Sequence, residues 1–439
     1  MDGNTPHTGT EIRPITRAEA IDYMRVLPFA VGLPNWEPAP AAWYGGEGAW
    51  GPPPTRLAEA ELERLADEMM AEGFRPQAVF VDGRIVGGSA MLSLEVTIPG
   101  PKCVPMGGVT STGVIATHRR RGLLRGMMTA MLADACERGE FLAGLSASEG
   151  GIYGRFGFSP ATMRTRWELE RAEAGFRKQA PQSDGQLEIA DAEVAKAVWP
   201  AIHETVRRRR VGEVQAAPDR WNGLSGVARG TDGPLHFLIH RGSDGTIDGI
   251  ANYRLPWSPD PVKIGTLVVE GLEATNSVAY AAIWRLLTDF DLTRRVVAAS
   301  RQSDEPLRWM LQSPRALRVT RSSDNLWLRI LDVPRALESR SYDVAESLVF
   351  GLVDDPLCPW NAGVWRLEAS PDGATCVPAC GAEPNCSFDI SALASLYLGG
   401  MSPAVLSAAG RVTEHKTGSI ATLARVFRSD PPPFNAVGF

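Results

Sequence analysis

The spacing of hydrophobic residues along the first part of the chain alternates between that of helices and that of strands. Thr16 and Glu19 form a capping box after a short predicted strand at 11–14, so we expect a helix to begin there. Apolar residues follow at helical spacing, namely Ile21, Met24 and Leu27. The pattern then predicts an amphipathic helix at 57–70 and antiparallel strands at 78–81, 85–92 and 94–98.

The stretch 106–162 shows the clearest change of pattern. A β-prone run at 109–115 leads into a turn rich in arginine and glycine at 119–126. The apolar residues at helical spacing after this turn are Leu123, Leu124, Met127, Met128, Met131, Leu132 and Cys136. A second apolar strand at 141–145 and a short helix that carries Tyr153 follow. This order predicts a first α/β domain that ends near Glu170.

The Arg/Gly turn has the chemistry of an anion-binding site. The first amides of a helix have no partners within the helix, and the helix dipole favours negative charge at that end. Gly122 allows an oxyanion to approach the backbone, while Arg120, Arg121 and Arg125 supply positive charge. The turn therefore predicts a phosphate site, and the alternative is a solvated surface turn.

The pattern of the first domain restarts after a polar stretch at 171–186. Strands are predicted at 187–190, 236–240, 247–254, 263–270 and 295–299, with helices through 203–210, 277–290 and 305–311. The segment 270–279 has no basic residue where the first domain has its Arg/Gly turn. We therefore expect a duplicated domain that has lost its phosphate site.

A third unit is expected from 326 to the end of the sequence. Strands are predicted at 326–331, 342–352 and 363–368, and helices at 390–398, 403–409 and 419–427. Three consecutive prolines precede the last residues, which end at Phe439. Stiff and aromatic residues together indicate a docked terminus rather than a frayed tail. The predicted domains are 1–170, 171–325 and 326–439.

Composition changes this picture only by exclusion. The 439 residues carry a net charge of −6 at pH 7, which gives no electrostatic argument for nucleic-acid binding. No apolar run reaches the roughly 20 residues that span a bilayer, and no secretory signal is recognisable, so we expect a cytoplasmic protein. The clustered Cys376, Cys380 and Cys386 lack the paired spacing and the histidines of a zinc site, so we predict reduced thiols and no metal.

Two motifs on this frame resemble the GNAT superfamily of N-acetyltransferases. The R-x-x-G-x-[GA] cradle is present as Arg119-Arg120-Arg121-Gly122-Leu123-Leu124, with Leu124 in place of the final small residue. The Y-x-x-x-G-F motif is present as Tyr153-Gly154-Arg155-Phe156-Gly157-Phe158. Finer detail at 116–125 and 148–158, with the aromatic C-terminal residue, is similar to the enhanced intracellular survival (Eis) family. The resemblance implies an α/β (α+β) fold of two tandem GNAT-like domains, the second degenerate, and a sterol-carrier-protein-like C-terminal domain, assembled as a homohexamer.

The resemblance also implies a site. Acetyl-CoA would lie between the strands that end near Val114 and Leu145, with Tyr153 as general acid and the carboxylate of Phe439 as general base. The cofactor-binding residues would be Thr112, Gly113, Val114, Arg120, Arg121, Gly122, Leu123, Leu124, Arg125, Ser148 and Glu149. The sequence departs from the family in two places: Ser146 stands where a histidine is frequent, and Val437 and Gly438 replace the glutamate that often precedes the last residue.

The sequence therefore predicts an acetyl-CoA-dependent N-acetyltransferase that acts by direct transfer on amines such as aminoglycosides, other polyamine-like compounds or lysine side chains. The loop at 34–54, rich in proline, glycine and tryptophan, is predicted either to face the substrate through Trp36, Glu37 and Trp43 or to cover the core. For single residues, the alternatives are packing for Tyr153, a helix cap for Glu149 and a docked tail for Phe439. For the whole chain, they are a non-catalytic acyl-CoA sensor and an assembly module.

Overall fold

Three β-sheets organise the parts of the chain that the computed structural model describes, which are residues 9–30, 59–71, 73–217, 220–224, 233–256 and 265–439. The predicted loop at 34–54, with Trp36, Glu37 and Trp43, lies outside these residues. Over the described ranges, no helix is both long and apolar enough to cross a membrane.

The secondary structure follows the predicted order closely. The strands are β1 (Thr10–Pro14), β2 (Phe74–Val81), β3 (Arg84–Ile98), β4 (Lys102–Val114), β5 (Leu142–Ser146), β6 (Ser159–Pro160), β7 (Met163–Glu170), β8 (Gln186–Ala190), β9 (Leu235–Arg241), β10 (Ile247–Arg254), β11 (Thr266–Ala274), β12 (Arg295–Arg301), β13 (Arg318–Asp324), β14 (Leu326–Ile330), β15 (Glu346–Leu352), β16 (Gly363–Ser370), β17 (Gly373–Pro378), β18 (Cys386–Phe388) and β19 (Val412–Glu414). The helices are α1 (Ala20–Ala30), α2 (Glu59–Met69), α3 (Leu123–Glu137), α4 (Gly150–Tyr153), α5 (Ala192–Arg207), α6 (Ser277–Thr288), α7 (Leu307–Met310), α8 (Val333–Ser339), α9 (Ile390–Tyr397), α10 (Pro403–Ala408) and α11 (Ser419–Val426).

The first sheet has the strand order β1-β2-β3-β4-β5-β14-β6, and within it only β4 and β5 are paired in parallel over the described residues. Helix α3 packs against β4 through its buried methionines. The predicted capping box is present, because the Thr16 amide donates to Glu19 Oε2 at 2.8 Å. The strands predicted at 85–92 and 94–98 form one strand, β3, because Ser93 stays in the ladder opposite Gly107.

Strand β14 is the first strand of the third predicted unit. It lies in the first sheet, where Leu326–Ile330 pairs antiparallel with β5 and is buried throughout. Strand β7, predicted within the first domain, joins the second sheet beside β12. Hydrogen-bonded strands therefore cross both predicted boundaries, and the divisions at 170 and 325 remain predictions.

The second sheet repeats the plan of the first. Its order is β13-β7-β12-β11-β10-β9-β8, with β11 and β12 in parallel and helix α6 between them in sequence. The core beneath α6 contains Trp167 and Trp284, whose ring centroids lie 5.0 Å apart. The predicted duplication of the first domain is thus present in the topology.

The third sheet has the order β17-β16-β15-β18-β19 and is covered by α8, α10 and α11, while α9 packs against β14 and β6 of the first sheet. Its core is continuous with that of the first sheet, and Phe439 belongs to this shared cluster. Cys376 and Cys386 are buried in β17 and β18, whereas Cys380 is exposed. Cys376 and Cys386 face the core because alternate residues of a strand point to the same face of its sheet.

Candidate active site

Strands β4 and β5 run side by side over a short distance and then separate. The parallel ladder joins Met106–Gly108 to Leu142–Gly144, and β4 continues beyond it to Val114. The end of a parallel ladder leaves backbone groups on the facing strand edges open to a ligand. We call the opening between β4 and β5 beyond Gly108 and Gly144 the wedge. It lies where the sequence predicts acetyl-CoA, between the strands that end near Val114 and Leu145.

A β-bulge turns the backbone of β4 beyond the point where the wedge opens. The register with β3 shifts so that Ser111 and Thr112 together face Ser89, and Ser111 has a φ of +51°. The predicted contacts Gly113 and Val114 follow directly. Val114 is buried against the start of α3, which fixes the position of this edge relative to the Arg/Gly turn.

The Arg/Gly turn presents an uncapped helix N-terminus. Gly122 is the N-cap of α3 with a φ of +76°, a left-handed conformation that favours glycine, and no side chain caps the helix. The amides of Leu123, Leu124 and Arg125 are the first of the helix and point out of its N-terminus. Leu123 itself is buried in the core, so it anchors the turn. The arrangement fits a phosphate group.

The arginines of the turn divide into two kinds. The guanidinium of Arg119 donates to the carbonyl oxygens of Val114, at 3.1 Å, and Ala30, at 3.2 Å, and so supports the turn from behind. Arg121 donates to the carbonyl of Thr117 at 3.2 Å and is exposed. The exposed side chains of Arg120 and Arg125 have no hydrogen-bond partner among the described residues. These two are therefore the most available to bind phosphate oxygens.

Tyr153 lies at the end of α4 and is buried beside the wedge. Its ring is in one cluster with Val109 of β4 and Met128 of α3, and it packs edge-on against Phe158 at a centroid distance of 6.3 Å. Burial, together with the carboxylate of Glu149, raises the pKa of the Tyr153 phenol. A phenol with a raised pKa stays protonated at neutral pH, which is the form that can donate a proton.

Ser148 and Glu149 are exposed in the loop between β5 and α4. Glu149 occupies the N-cap position of α4, which agrees with the alternative of a helix cap, but its side chain forms no capping hydrogen bond. Its carboxylate therefore does not cap the helix, and its effect in the site is to raise the pKa of Tyr153.

Phe439 brings the end of the chain to the first residue of the wedge. A Cβ atom built on Gly108 would lie 2.9 Å from both Cδ2 and Cε2 of the Phe439 ring. Gly108 forms the last parallel pair of β4 and β5, opposite Gly144, and it precedes Val109 of the Tyr153 cluster. Phe439 thus packs on Gly108, and Tyr153 shares a core cluster with the next residue, Val109, whose side chain lies on the opposite face of β4.

The equivalent wedge of the second domain is closed. Strands β11 and β12 pair over Thr266–Val269 and Arg295–Ala298, and the buried guanidinium of Arg301 then donates across the gap to the carbonyl of Leu272 at 2.9 Å. Arg301 is held there by Glu305, also at 2.9 Å. A side chain therefore fills the space that is open in the first domain.

The N-terminus of α6 is closed as well. The side-chain oxygen of Asn276 accepts hydrogen bonds from the amides of Val278, at 3.0 Å, and Ala279, at 2.9 Å. The amide nitrogen of Asn276 donates to Asp248 at 2.7 Å, so a carboxylate lies beside this helix end. A phosphate at this helix end would meet amides that are already hydrogen-bonded and a negative charge. In the first domain, by contrast, no side chain caps the amides that follow Gly122. Sequence reasoning predicted the lost cradle but missed Arg301 and Asn276, although asparagine before a helix is a recognisable cap.

Comparisons with known proteins agree with this geometry. Residues 48–161 and 212–330 each match an acetyltransferase (GNAT) domain, and residues 333–436 match a sterol carrier protein domain. An uncharacterized N-acetyltransferase of Streptomyces avermitilis is 33% identical over 431 residues, which cover 97% of each chain. N-acetyltransferase Eis of Mycobacterium tuberculosis is 32% identical over 363 residues, which cover 81% of this chain and 86% of the relative. The crystal structure of Eis1 from Mycobacterium abscessus superposes with a TM-score of 0.80 at 30% identity, covering 98% of this chain and 100% of that one.

The fold and the open wedge define a tandem GNAT acetyltransferase with a sterol-carrier-protein domain at its C-terminal end. GNAT acetyltransferases transfer the acetyl group of acetyl-CoA. The chain belongs to the Eis-like family of these N-acetyltransferases. This outcome confirms the predicted family, fold class and enzyme class, and it favours an enzyme over a non-catalytic acyl-CoA sensor or an assembly module.

Proposed function

We propose that the chain acetylates a small-molecule or lysine amine by direct transfer in the first domain, with Tyr153 as general acid and the Phe439 carboxylate as general base. The observation that carries this proposal is that Phe439 packs on Gly108 and Tyr153 shares a core cluster with Val109, so that the two residues flank, from opposite faces of the sheet, the point where β4 and β5 part. The amides of Leu123, Leu124 and Arg125, with the side chains of Arg120 and Arg125, would hold the phosphates. Thr112, Gly113 and Val114 would meet the pantetheine, and Arg121, Gly122, Ser148 and Glu149 would line the slot.

The reaction needs two proton transfers. Acetyl-CoA supplies a thioester, whose carbonyl carbon forms a bond with the neutral amine nitrogen while the carbon–sulfur bond breaks. The Phe439 carboxylate takes the proton that the amine loses, and the Tyr153 phenol gives a proton to the departing thiolate. The raised pKa of Tyr153 favours this role because the phenol is protonated when the thiolate leaves.

The amine acceptor is proposed by class. Aminoglycosides, polyamine-like compounds and lysine side chains are cationic at neutral pH, and the net charge of −6 is compatible with such substrates. Trp36, Glu37 and Trp43 remain predicted to face the acceptor. A thiol-release assay with acetyl-CoA and a panel of these amines identifies the class, and a panel without any thiol release would contradict the proposal.

The role of Tyr153 is tested by Tyr153→Phe, which keeps the ring and removes the proton. We expect kcat to fall by about 10²–10⁴-fold, while the affinity for acetyl-CoA stays near that of the unchanged protein. Phe158→Leu is a matched control, because it alters the packing against Tyr153 and leaves the hydroxyl in place. An unchanged kcat in Tyr153→Phe would exclude Tyr153 as the acid.

The role of Phe439 is tested by adding one glycine after it, which moves the terminal carboxylate. We expect thiol release to be lost while acetyl-CoA still binds. An active extended protein would exclude the carboxylate as the base. Assembly as a homohexamer and a cytoplasmic location remain predictions; light scattering on the purified protein tests the first and fractionation of the cells tests the second.

A further inference from the structure

The C-terminal tail is held by a segment of the second domain. Residues 212–215 extend the first sheet along β3, where the amide of Thr97 donates to the carbonyl of Glu213 at 2.9 Å. The tail crosses this segment, and the amide of Phe434 donates to the carbonyl of Val211 at 2.9 Å. The amide of Ala436 donates to both carboxylate oxygens of Glu213, at 3.1 and 2.9 Å. The side chain of Glu213, in the second domain, thus forms a direct hydrogen bond with the backbone of the tail.

Further hydrogen bonds and burial hold the tail on both sides of Ala436. Asn325, just before β14, donates to the carbonyl of Asn435 at 2.6 Å. The side chain of Asn435 donates to the carbonyl of Val437 at 2.6 Å and closes a tight loop around Ala436. Val437 and Phe439 are both buried in the core that the first and third sheets share. A displacement of Ala436 would therefore be transmitted to Phe439.

The charge on Glu213 is supported by a buried histidine. Nε2 of His203 lies 3.0 Å from the carbonyl oxygen of Val214, which can only accept, so this nitrogen carries a proton. Nδ1 lies 2.8 Å from the carboxylate of Glu273 and donates to it. A histidine that donates from both nitrogens is an imidazolium. Its positive charge contacts the carboxylate of Glu273, and the charges of His203 and Arg210 both act to lower the pKa of Glu213.

The pKa values agree with this geometry. Burial opposes the charge on His203, but the carboxylates of Glu273 and Glu213 outweigh it and raise the pKa of His203 to about 9. Burial raises the pKa of Glu213 to about 7, although the charge of His203 opposes the increase. Above that pH both oxygens of Glu213 can accept from the amide of Ala436 as a charged group.

We propose that Glu213 is a positioning residue for catalysis, which holds the C-terminal carboxylate at the wedge through the backbone of Ala436. This inference rests on the proposed role of Phe439 as the base. It gives the second acetyltransferase domain a part in the reaction of the first. The second domain, whose own wedge is filled by Arg301, thus supplies the side chain that positions the general base of the first domain.

The test compares Glu213→Gln with Glu305→Gln in the full-length protein. Both positions are buried glutamates of the second domain, but only Glu213 contacts the tail. Two properties are measured: kcat at saturating acetyl-CoA, and the rate at which a carboxypeptidase releases Phe439. The second measurement reports docking of the tail and does not depend on any catalytic role.

We expect Glu213→Gln to release phenylalanine at least tenfold faster than Glu305→Gln and to lose about tenfold to hundredfold in kcat, with the KM for acetyl-CoA unchanged. Release and kcat equal to those of Glu305→Gln would overturn the inference. Faster release of phenylalanine with an unchanged kcat would instead overturn the role of Phe439 as the base, while it would still show that Glu213 holds the tail. These two failures are therefore distinguishable.

A second variant covers the case in which Glu213→Gln does not fold. Ala436→Pro removes the amide that donates to Glu213 and leaves the buried cluster of charges intact. We expect the same faster release and lower kcat in Ala436→Pro alone, and, where Glu213→Gln does fold, no further loss when both changes are combined. A fully active, carboxypeptidase-resistant Ala436→Pro protein would overturn the inference.

Discussion

Replacing Gly108 with alanine should disturb catalysis by displacing Phe439, while every proposed reacting group stays present. The added Cβ would lie 2.9 Å from two ring carbons of Phe439 and 2.7 Å from Cδ1 of Leu94. The leucine methyl group can turn away, but the ring belongs to a tail that is pinned at Ala436 and buried at Val437. The ring therefore has to move, and the terminal carboxylate moves with it.

The distances set the size of the effect. Ordinary contacts between carbon atoms are about 3.5–4.0 Å, so the ring has to retreat by about 0.6–1.1 Å from its position 2.9 Å from the new atom. A misplacement of about 1 Å can reduce a rate by about 10²-fold, which corresponds to about 3 kcal/mol of barrier. Overpacking at Gly108 should also cost about 1–3 kcal/mol of stability.

Gly107→Ala is the matched control for this prediction. Its Cβ would meet Sδ of Met91 at 2.6 Å and Oε2 of Glu140 at 2.9 Å, equally tight contacts that do not involve the tail. Both variants should therefore unfold at lower temperature, while only Gly108→Ala loses about 10²-fold in kcat with acetyl-CoA affinity retained. Thiol release, calorimetric binding and thermal unfolding measure the three properties. Equal kcat values for the two variants would refute the argument.

Three further outcomes are expected. Arg120→Ala and Arg125→Ala should weaken acetyl-CoA binding, measured by calorimetry, because these exposed arginines adjoin the uncapped end of α3 in sequence and have no hydrogen-bond partner among the described residues; unchanged affinity in the double variant would contradict the phosphate site. Calorimetry should also give one acetyl-CoA per chain, because Arg301 fills the second wedge, and a stoichiometry of two would contradict this. The contribution of His203 to folding stability should be complete below pH 6.5 and lost as the pH rises through about 9, since its folded pKa lies above its unfolded value of 6.5; the loss amounts to about 3 kcal/mol. The urea concentration at the unfolding midpoint should decrease as the pH is raised from 6.5 to 9.5, and this decrease should be smaller in His203→Gln. An equal decrease in both proteins would speak against a charged His203.

Local elements could be predicted from the sequence because their signals are local. The capping box at Thr16 and the apolar stripe of α3 depend on residues within a few positions of each other. The partners of β14 could not be predicted in the same way, because a short buried apolar run fits any buried sheet position. Its pairing with β5 joins residues such as Leu328 and Gly144, which are far apart in sequence, and no pattern within either strand specifies the other.

The candidate site divides along the same line. The Arg/Gly turn could be predicted because its chemistry lies in one stretch, and the structure adds that Arg119 supports the turn while Arg120 and Arg125 remain available. The contribution of Glu213 could not be predicted, because an isolated acidic residue in a loop is usually solvated. Only the fold buries it and brings Ala436 to its carboxylate.

The buried charges of the second domain are difficult to explain as a source of stability. Removing charged groups from water is costly, and replacing buried ion pairs with apolar residues is often neutral or stabilising. The pair of Arg301 and Glu305 fills the second wedge, where we predict that no cofactor binds, and this filling accounts for the pair. The cluster of His203 and Glu213 has a different orientation, because one of its carboxylates is directed at the backbone of the C-terminal tail. A charged acceptor holds an amide more firmly and with more directional precision than apolar packing does. Positioning of the chain terminus is therefore the function that justifies the cost of burying this cluster.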